Sequence, residues 1–237
     1  MEPSNSVYAL YHPEATLIKL SEKKRIELEW WKSKSLFQKK RGERGHASKR
    51  AYNKYLAIIL HSGGSEILFH EKVIVDVGCG PMGALHFFPQ SAVKIGIDNL
   101  AFNYNQIFQV GNKQNMKYIS ADAEYLPINS QCVDYIFCIN SLDHVDKPNF
   151  VLDEFERILK PGGIVFLQVE IDKDQTNIKE PHDFCTNNVL NLFKNFTLLN
   201  HRVVPKHNNK FFRRILKFLR IYPRYEDLFI GSFKKYN

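Results

Sequence analysis

The stretch Val73-Ile74-Val75-Asp76-Val77-Gly78-Cys79-Gly80-Pro81-Met82-Gly83 decides the reading of this chain. A short, continuous apolar run leads into a glycine-rich turn, as a buried parallel strand does before a helix. Gly78 and Gly80 clear side chains from the turn, so that a ligand can approach the backbone and meet unpaired N–H groups at the helix start. Taken alone, Gly78-x-Gly80-x-x-Gly83 also fits the dinucleotide fingerprint.

Asp76 separates the two readings. A carboxylate two residues before the first glycine would repel the pyrophosphate of a dinucleotide. The same charge favours S-adenosylmethionine, which carries an ammonium and a sulfonium and no phosphate. Two more acids follow at later strand ends. Asp98, twenty residues after Gly78, is placed to accept hydrogen bonds from both ribose hydroxyls. Asp122, followed by Ala123, can accept the adenine amino group while a backbone N–H meets the ring.

Outward from this turn, residues 72–170 alternate apolar runs with helix-length polar stretches. The runs are Val73–Val77, Ala92–Ile97, Lys117–Ser120, Val133–Ile139 and Ile164–Val169. Phe150, Val151, Phe155, Ile158 and Leu159 trace a helical stripe over Lys147–Leu159. Lys160-Pro161-Gly162-Gly163 is read as its stop and the turn into the next strand. Such alternation predicts an α/β, doubly wound, mostly parallel sheet. Residues 14–62 read as two helices, with Ile26, Trp30 and Phe37 on one side of the first. Phe196–Val204 and Leu228–Phe233 read as two late strands. The domain expectation is a helical cap over 1–64 and a catalytic domain over 65–237. A basic amphipathic insert, 205–225, precedes the last strand.

These motifs in order resemble class I S-adenosylmethionine-dependent methyltransferases. The resemblance rests on Asp76-Val-Gly-Cys-Gly, Asp98, Ser120-Ala-Asp122-Ala123, the run Val133 to Val145, and Glu154-Phe-Glu-Arg157 through Gly163. It implies a Rossmann-like seven-stranded sheet whose last two strands form a hairpin with one antiparallel strand. It implies S-adenosylmethionine as cofactor, with Gly78, Cys79 and Gly80 along its methionine part and Asp76 near its ammonium. Asp98, with Asn99 and Leu100 beside it, would hold the ribose. Asp122 and Ala123 would meet the adenine, and Asn140 the pocket floor.

Methyl transfer to a hydroxyl needs an aligned acceptor, excluded water and a base. Asp143 and His144, just after the fourth strand, are candidates for that base. His182, in Glu180-Pro181-His182 after the fifth, is a second. Asn140-Ser141-Leu142-Asp143 stands where base N-methylating enzymes of this family carry an Asn- or Asp-Pro-Pro-aromatic tetrad, which disfavours that activity. Asp143-His144-Val145 with Lys160–Gly163 is more similar to the small-molecule and sugar O-methyltransferase branch. Glu29-Trp30-Trp31 and Pro181-His182 are similar to methyltransferases of bacterial surface-polysaccharide pathways.

The 237 residues are 44% apolar and 24% charged, ordinary for a globular protein. Four cysteines show neither a Cys-x-x-Cys pair nor a spacing suited to zinc, so no metal is expected and a reducing compartment fits. There is no run long enough for a membrane span and no basic-then-apolar leader, so a cytoplasmic protein is expected. The net charge of +8 is uneven. Residues 1–60 carry 13 Lys and Arg against 6 Asp and Glu, residues 61–200 carry 10 against 17, and residues 201–237 carry 10 against 2. Basic ends suit an anionic small acceptor, phosphorylated or nucleotide-linked. The alternatives they leave open are an RNA-tracking surface, a membrane-surface helix, or a cofactor-binding partner subunit without catalysis. Oligomeric state is not legible.

Overall fold

A computed structural model describes residues 20–40, 53, 55–61, 69–81, 85, 88, 92–108, 116–173, 175–205 and 227–236. Seven strands form one sheet: β1 Val73–Val77, β2 Val93–Asp98, β3 Lys117–Ser120, β4 Val133–Ile139, β5 Leu159–Ile171, β6 Phe196–Pro205 and β7 Asp227–Lys235. Their order across the sheet is β3-β2-β1-β4-β5-β7-β6. The first five pair in parallel, and β7 runs antiparallel to both β5 and β6. The expected mixed sheet with a late hairpin is therefore present.

The helices are α1 Glu22–Lys40, α2 over 55–61, α3 Ala101–Phe108, α4 Pro148–Ile158 and α5 Thr186–Leu192, with a short 3-10 turn at Leu142–His144. One face of the sheet packs Val75, Ile97, Ile136 and Val165 against Phe155 of α4 and Val189 of α5. The other face packs Ile74, Phe137 and Phe166 against Tyr55 and Ile59 of α2 and against Phe69. The central strands are buried on both sides, which explains their unbroken apolar runs. A third, smaller cluster joins Leu28 of α1 to Leu100 and Tyr104.

Two local expectations change. Leu159 is already extended and pairs with Val133, so β5 begins at the residue after α4 and Lys160–Gly163 lies within it. The register shift between Val133 and Tyr135, with Gly162 at φ 76°, absorbs the stretch as an irregular part of the strand. In α1 the inward face is Leu28 with Trp31, while Trp30 is 41% exposed. Adjacent tryptophans lie about 100° apart round a helix, so only one of them can face the body. Phe37, Gly83 and residues 206–226 of the basic insert lie outside what the structure describes at side-chain level.

Candidate functional site

The carboxyl ends of β1, β2, β3 and β4 converge on a cavity of about 460 Å³, roofed by α1. Open parallel sheets bind ligands at this edge because their strand ends and crossovers leave a crevice there. Gly78, Gly80, Asp98, Asn99, Leu100, Asp122, Ala123 and Asn140 all line it, together with His144.

The turn after β1 is held by backbone. Gly78 N and Cys79 N both donate to Ile97 O, at 2.8 and 3.2 Å. Gly78 (φ 71°) and Gly80 (φ 55°) occupy the left-handed region that favours glycine. A methyl group at Gly78 would come within 2.2 Å of Ser141 Cβ, so this glycine admits the β4 loop rather than a ligand. At Gly80 the same methyl would meet the ring of Trp31 at 3.3 Å. Ser141 Oγ donates to Val77 O at 2.8 Å and ties the ends of β1 and β4 together.

Asp98 is clamped from both sides. Gly80 N donates to Oδ2 at 3.0 Å and Leu100 N to Oδ1 at 2.9 Å. Burial pushes its carboxyl up to about 6, against the lowering effect of those two amides, with nearby Glu27 raising it further. Each carboxylate oxygen retains a lone pair for a second donor.

Asp76 and Cys79 are not among the residues lining the cavity. Asp76 is 1% exposed and its two oxygens accept the Tyr55 hydroxyl at 3.0 and 2.8 Å. Cys79 is buried under the turn; burial, then the charges of Asp76 and Asp98, hold its thiol well above the ordinary range. Asn140 adopts φ 54°, accepts from the Gln168 amide through Oδ1, and donates to Glu170 Oε1 at 3.5 Å. Asp122 Oδ1 pairs with Lys24 Nζ of α1 at 2.9 Å.

On the acceptor side, only one of the three proposed bases faces the cavity. His144 lines it and sets Nε2 3.6 Å from Glu180 Oε1 and 4.0 Å from Asp143 Oδ1. Asp143 is 1% exposed and its Oδ2 takes Lys173 Nζ at 2.5 Å, while Oδ1 accepts no hydrogen bond among the described residues. Lys173 also reaches Glu180 Oε2 at 3.3 Å. Burial lowers the Lys173 ammonium, but Asp143 and Glu180 overcome it and leave its pKa raised. Burial likewise raises Glu180, and Lys173 with His144 outweighs that to leave it lowered. His182 donates Nε2–H to Val145 O at 3.0 Å and stacks on Phe184. Lys173 carried no motif in the sequence, and Glu180 stood there only as a neighbour of His182. Their signal was only their position after β5, at the same sheet edge. Among the described residues no group of His, Cys, Asp and Glu could hold a metal ion.

Residues 75–167 match the methyltransferase domain family. The chain is 33% identical over 108 residues to a ubiquinone biosynthesis O-methyltransferase of Vibrio atlanticus, covering 43% of this chain and 44% of that protein. It is 28% identical over 127 residues to the ubiquinone/menaquinone biosynthesis C-methyltransferase UbiE of Campylobacter jejuni, covering 49% and 53%. The match thus spans about half the length of these relatives. Among solved structures, the [4+2]-cyclase SpnF superposes with a TM-score of 0.58 at 15% identity, covering 79% of this chain and 81% of that one. A Haemonchus contortus phosphoethanolamine N-methyltransferase 2 bound to S-adenosylhomocysteine superposes with 0.56 at 16%, covering 78% and 53%. Residues 75–167 thus resemble a methyltransferase domain, and S-adenosylmethionine is the cofactor that this match points to.

The residues present fit that molecule. Glu27, Asp98, Asp122, Glu124 and Asp146 line the cavity with Lys23, Lys24, Lys147 and Lys179, and Lys23 and Lys24 are paired with Asp146 and Asp122. Asp98 offers acceptors to a diol, and Asn140 and Gly80 line the same cavity.

Proposed function

We propose that the chain is an S-adenosylmethionine-dependent O-methyltransferase acting on a small acceptor, with His144 as the base. The observation that carries this reading is His144 on the cavity wall with Glu180 Oε1 at 3.6 Å from its Nε2. The cofactor supplies an activated methyl group on a positively charged sulfur.

Asp98 takes ribose hydroxyls, Asp122 and Ala123 meet the adenine, and Asn140 with Gly78 and Gly80 borders the methionine end. Asp76 acts from beneath the turn, through its charge and its grip on Tyr55, and Cys79 packs the turn from below. His144 accepts the acceptor's hydroxyl proton through Nδ1, and Glu180, beside Nε2, stabilises the imidazolium that forms. Asp143, buried on Lys173, orients that pair, and His182 fixes the loop at Val145; both are positioning residues. Lys147 and Lys179, which also line the cavity, supply the charges that support a phosphate or carboxylate on the acceptor.

The named relatives are enzymes of ubiquinone and menaquinone biosynthesis, and nothing in them favours a surface-polysaccharide precursor. The acceptor class proposed is therefore a small molecule with an ionisable hydroxyl. The test is a mass-spectrometric screen of phenolic, quinol-like and phosphorylated hydroxyl compounds for a gain of one methyl group. His144→Gln is expected to abolish the gain while S-adenosylhomocysteine still binds. Full turnover by that variant, or methylation confined to RNA, would overturn the reading.

A further inference from the structure

The helix α1 lies along the cavity in register with its acids. Ser21 Oγ accepts Lys24 N at 3.3 Å and caps the helix start, which fixes where each later side chain falls. Lys24, Glu27 and Trp31 are spaced i, i+3 and i+7 and so share one face. Lys24 pairs with Asp122, the acid at the end of β3. Trp31 packs on Gly80, in the turn after β1. Between them Glu27 lines the cavity, close enough to Asp98 to raise its carboxyl.

Glu27 also stands in an unbalanced state. Its Oε2 is buried and accepts no hydrogen bond among the described residues. Lys179 Nζ is 3.7 Å from that oxygen, beyond hydrogen-bond distance. A carboxylate oxygen removed from water without a donor is costly, and a donor delivered by a ligand would repay that cost. Asp98 differs, because each of its oxygens already holds a backbone amide. A ribose brings two hydroxyl donors to the place where these two carboxylates meet.

We propose that α1 is part of the cofactor site and that Glu27 is a second ribose-binding carboxylate, facing Asp98 across the cavity. This rests on the cofactor being S-adenosylmethionine. Glu27 accepts one ribose hydroxyl through Oε2, and Asp98 accepts the other. The helix is held over the nucleoside by Lys23 on Asp146 at 2.6 Å and Lys24 on Asp122 at 2.9 Å. Cofactor binding therefore draws on a segment outside the matched domain, residues 75–167.

The experiment is isothermal titration of the full chain and of Glu27→Gln and Glu27→Ala. The ligands are S-adenosylhomocysteine and its 2′-deoxy and 3′-deoxy ribose analogues. Both variants are expected to bind S-adenosylhomocysteine about tenfold more weakly. They should lose no more than about twofold, relative to wild type, for the analogue lacking the hydroxyl that Glu27 holds. Equal penalties for all three ligands would mean the variants perturb α1 generally, and would overturn the inference. Unchanged affinity for S-adenosylhomocysteine would overturn it too. A wild-type chain that binds none of these ligands would overturn the cofactor assignment beneath it.

Discussion

His144 Nε2 stands 3.6 Å from Glu180 Oε1, and the other oxygen of Glu180 is 3.3 Å from the buried ammonium of Lys173. The histidine on the cavity wall is thus backed by a carboxylate that is itself fixed by a lysine. That lysine in turn is anchored on Asp143, in the same 3-10 turn as His144. Three segments, the turn after β4, Lys173 and the loop to Glu180, are bound into one charged unit.

The first prediction concerns that unit's chemistry. If Glu180 only stabilises the imidazolium, Glu180→Gln should lower kcat by about tenfold to a hundredfold with little change in cofactor affinity. His144→Gln should remove nearly all turnover. Single-turnover rates with titrated S-adenosylhomocysteine separate the two effects. An E180Q enzyme with wild-type kcat would remove Glu180 from the mechanism.

The second prediction concerns stability. Lys173 and Asp143 are both buried, and removing one leaves an uncompensated charge in the interior. Lys173→Met is expected to cost about 3–5 kcal/mol by urea denaturation. The double variant Lys173→Met with Asp143→Leu should recover much of that loss, because a pair replaced by apolar groups leaves no stranded charge. Loss from K173M alone of under 1 kcal/mol would show that the pair is solvated.

Third, Asp98 sets a pH dependence of binding. Its folded carboxyl is raised to about 6, above the ordinary Asp value, and only the ionised form accepts a ribose hydroxyl beside its two backbone amides without offering a proton. Affinity for S-adenosylhomocysteine should therefore be fully present above pH 6 and fall about tenfold per unit below it. For the protein without ligand the sign is opposite. Ionising a carboxyl of raised pKa lowers stability as pH climbs from about 4 to about 6, since the folded state holds the extra proton there. Calorimetry from about pH 4 to about pH 8 tests both, and Asp98→Asn should flatten the binding curve.

Much of this was readable from residue order. Val73–Val77 and Val133–Ile139 lie between helices on both faces, so burial forced unbroken apolar runs and the strands showed themselves. Asp98, Asp122, Asn140 and His144 sit at strand ends or in the loops that follow, where topology alone brings them to one edge. Other features were hidden for physical reasons. Lys160–Gly163 looks like a turn because Pro and Gly punctuate most turns, yet the pairing of Leu159 with Val133 overrides that local preference. Asp76 was expected near the cofactor's ammonium, and its two oxygens accept the hydroxyl of Tyr55, twenty-one residues earlier, a contact no local pattern encodes. Lys173 and Glu180 depend in the same way on a long-range meeting with Asp143.

The fourth prediction follows from that Tyr55 contact. Tyr55→Phe keeps the ring against Phe137 but strips Asp76 of the hydroxyl that both its oxygens accept. A buried carboxylate losing such a donor should cost about 1–3 kcal/mol of stability. Asp76→Asn in that background should recover part of the loss, since an amide tolerates burial better than a charge. Thermal denaturation of the four proteins of this cycle measures the coupling, and additive effects would show that the contact carries no energy.

The last prediction separates two reasons for Gly78. Its φ of 71° disfavours any L side chain by about 1–2 kcal/mol, and a methyl there would also meet Ser141 Cβ at 2.2 Å. Gly78→Ala should therefore lower stability by more than the backbone cost alone. Ser141→Gly removes the opposing Cβ and sacrifices the hydrogen bond from Ser141 Oγ to Val77 O, worth about 1 kcal/mol. In the double variant the clash is gone while the left-handed backbone remains, so G78A should cost less in the S141G background than in wild type. An equal cost in both backgrounds would mean that φ alone demands glycine here. The close approach of the β1 and β4 ends would then play no part in shaping the turn after β1.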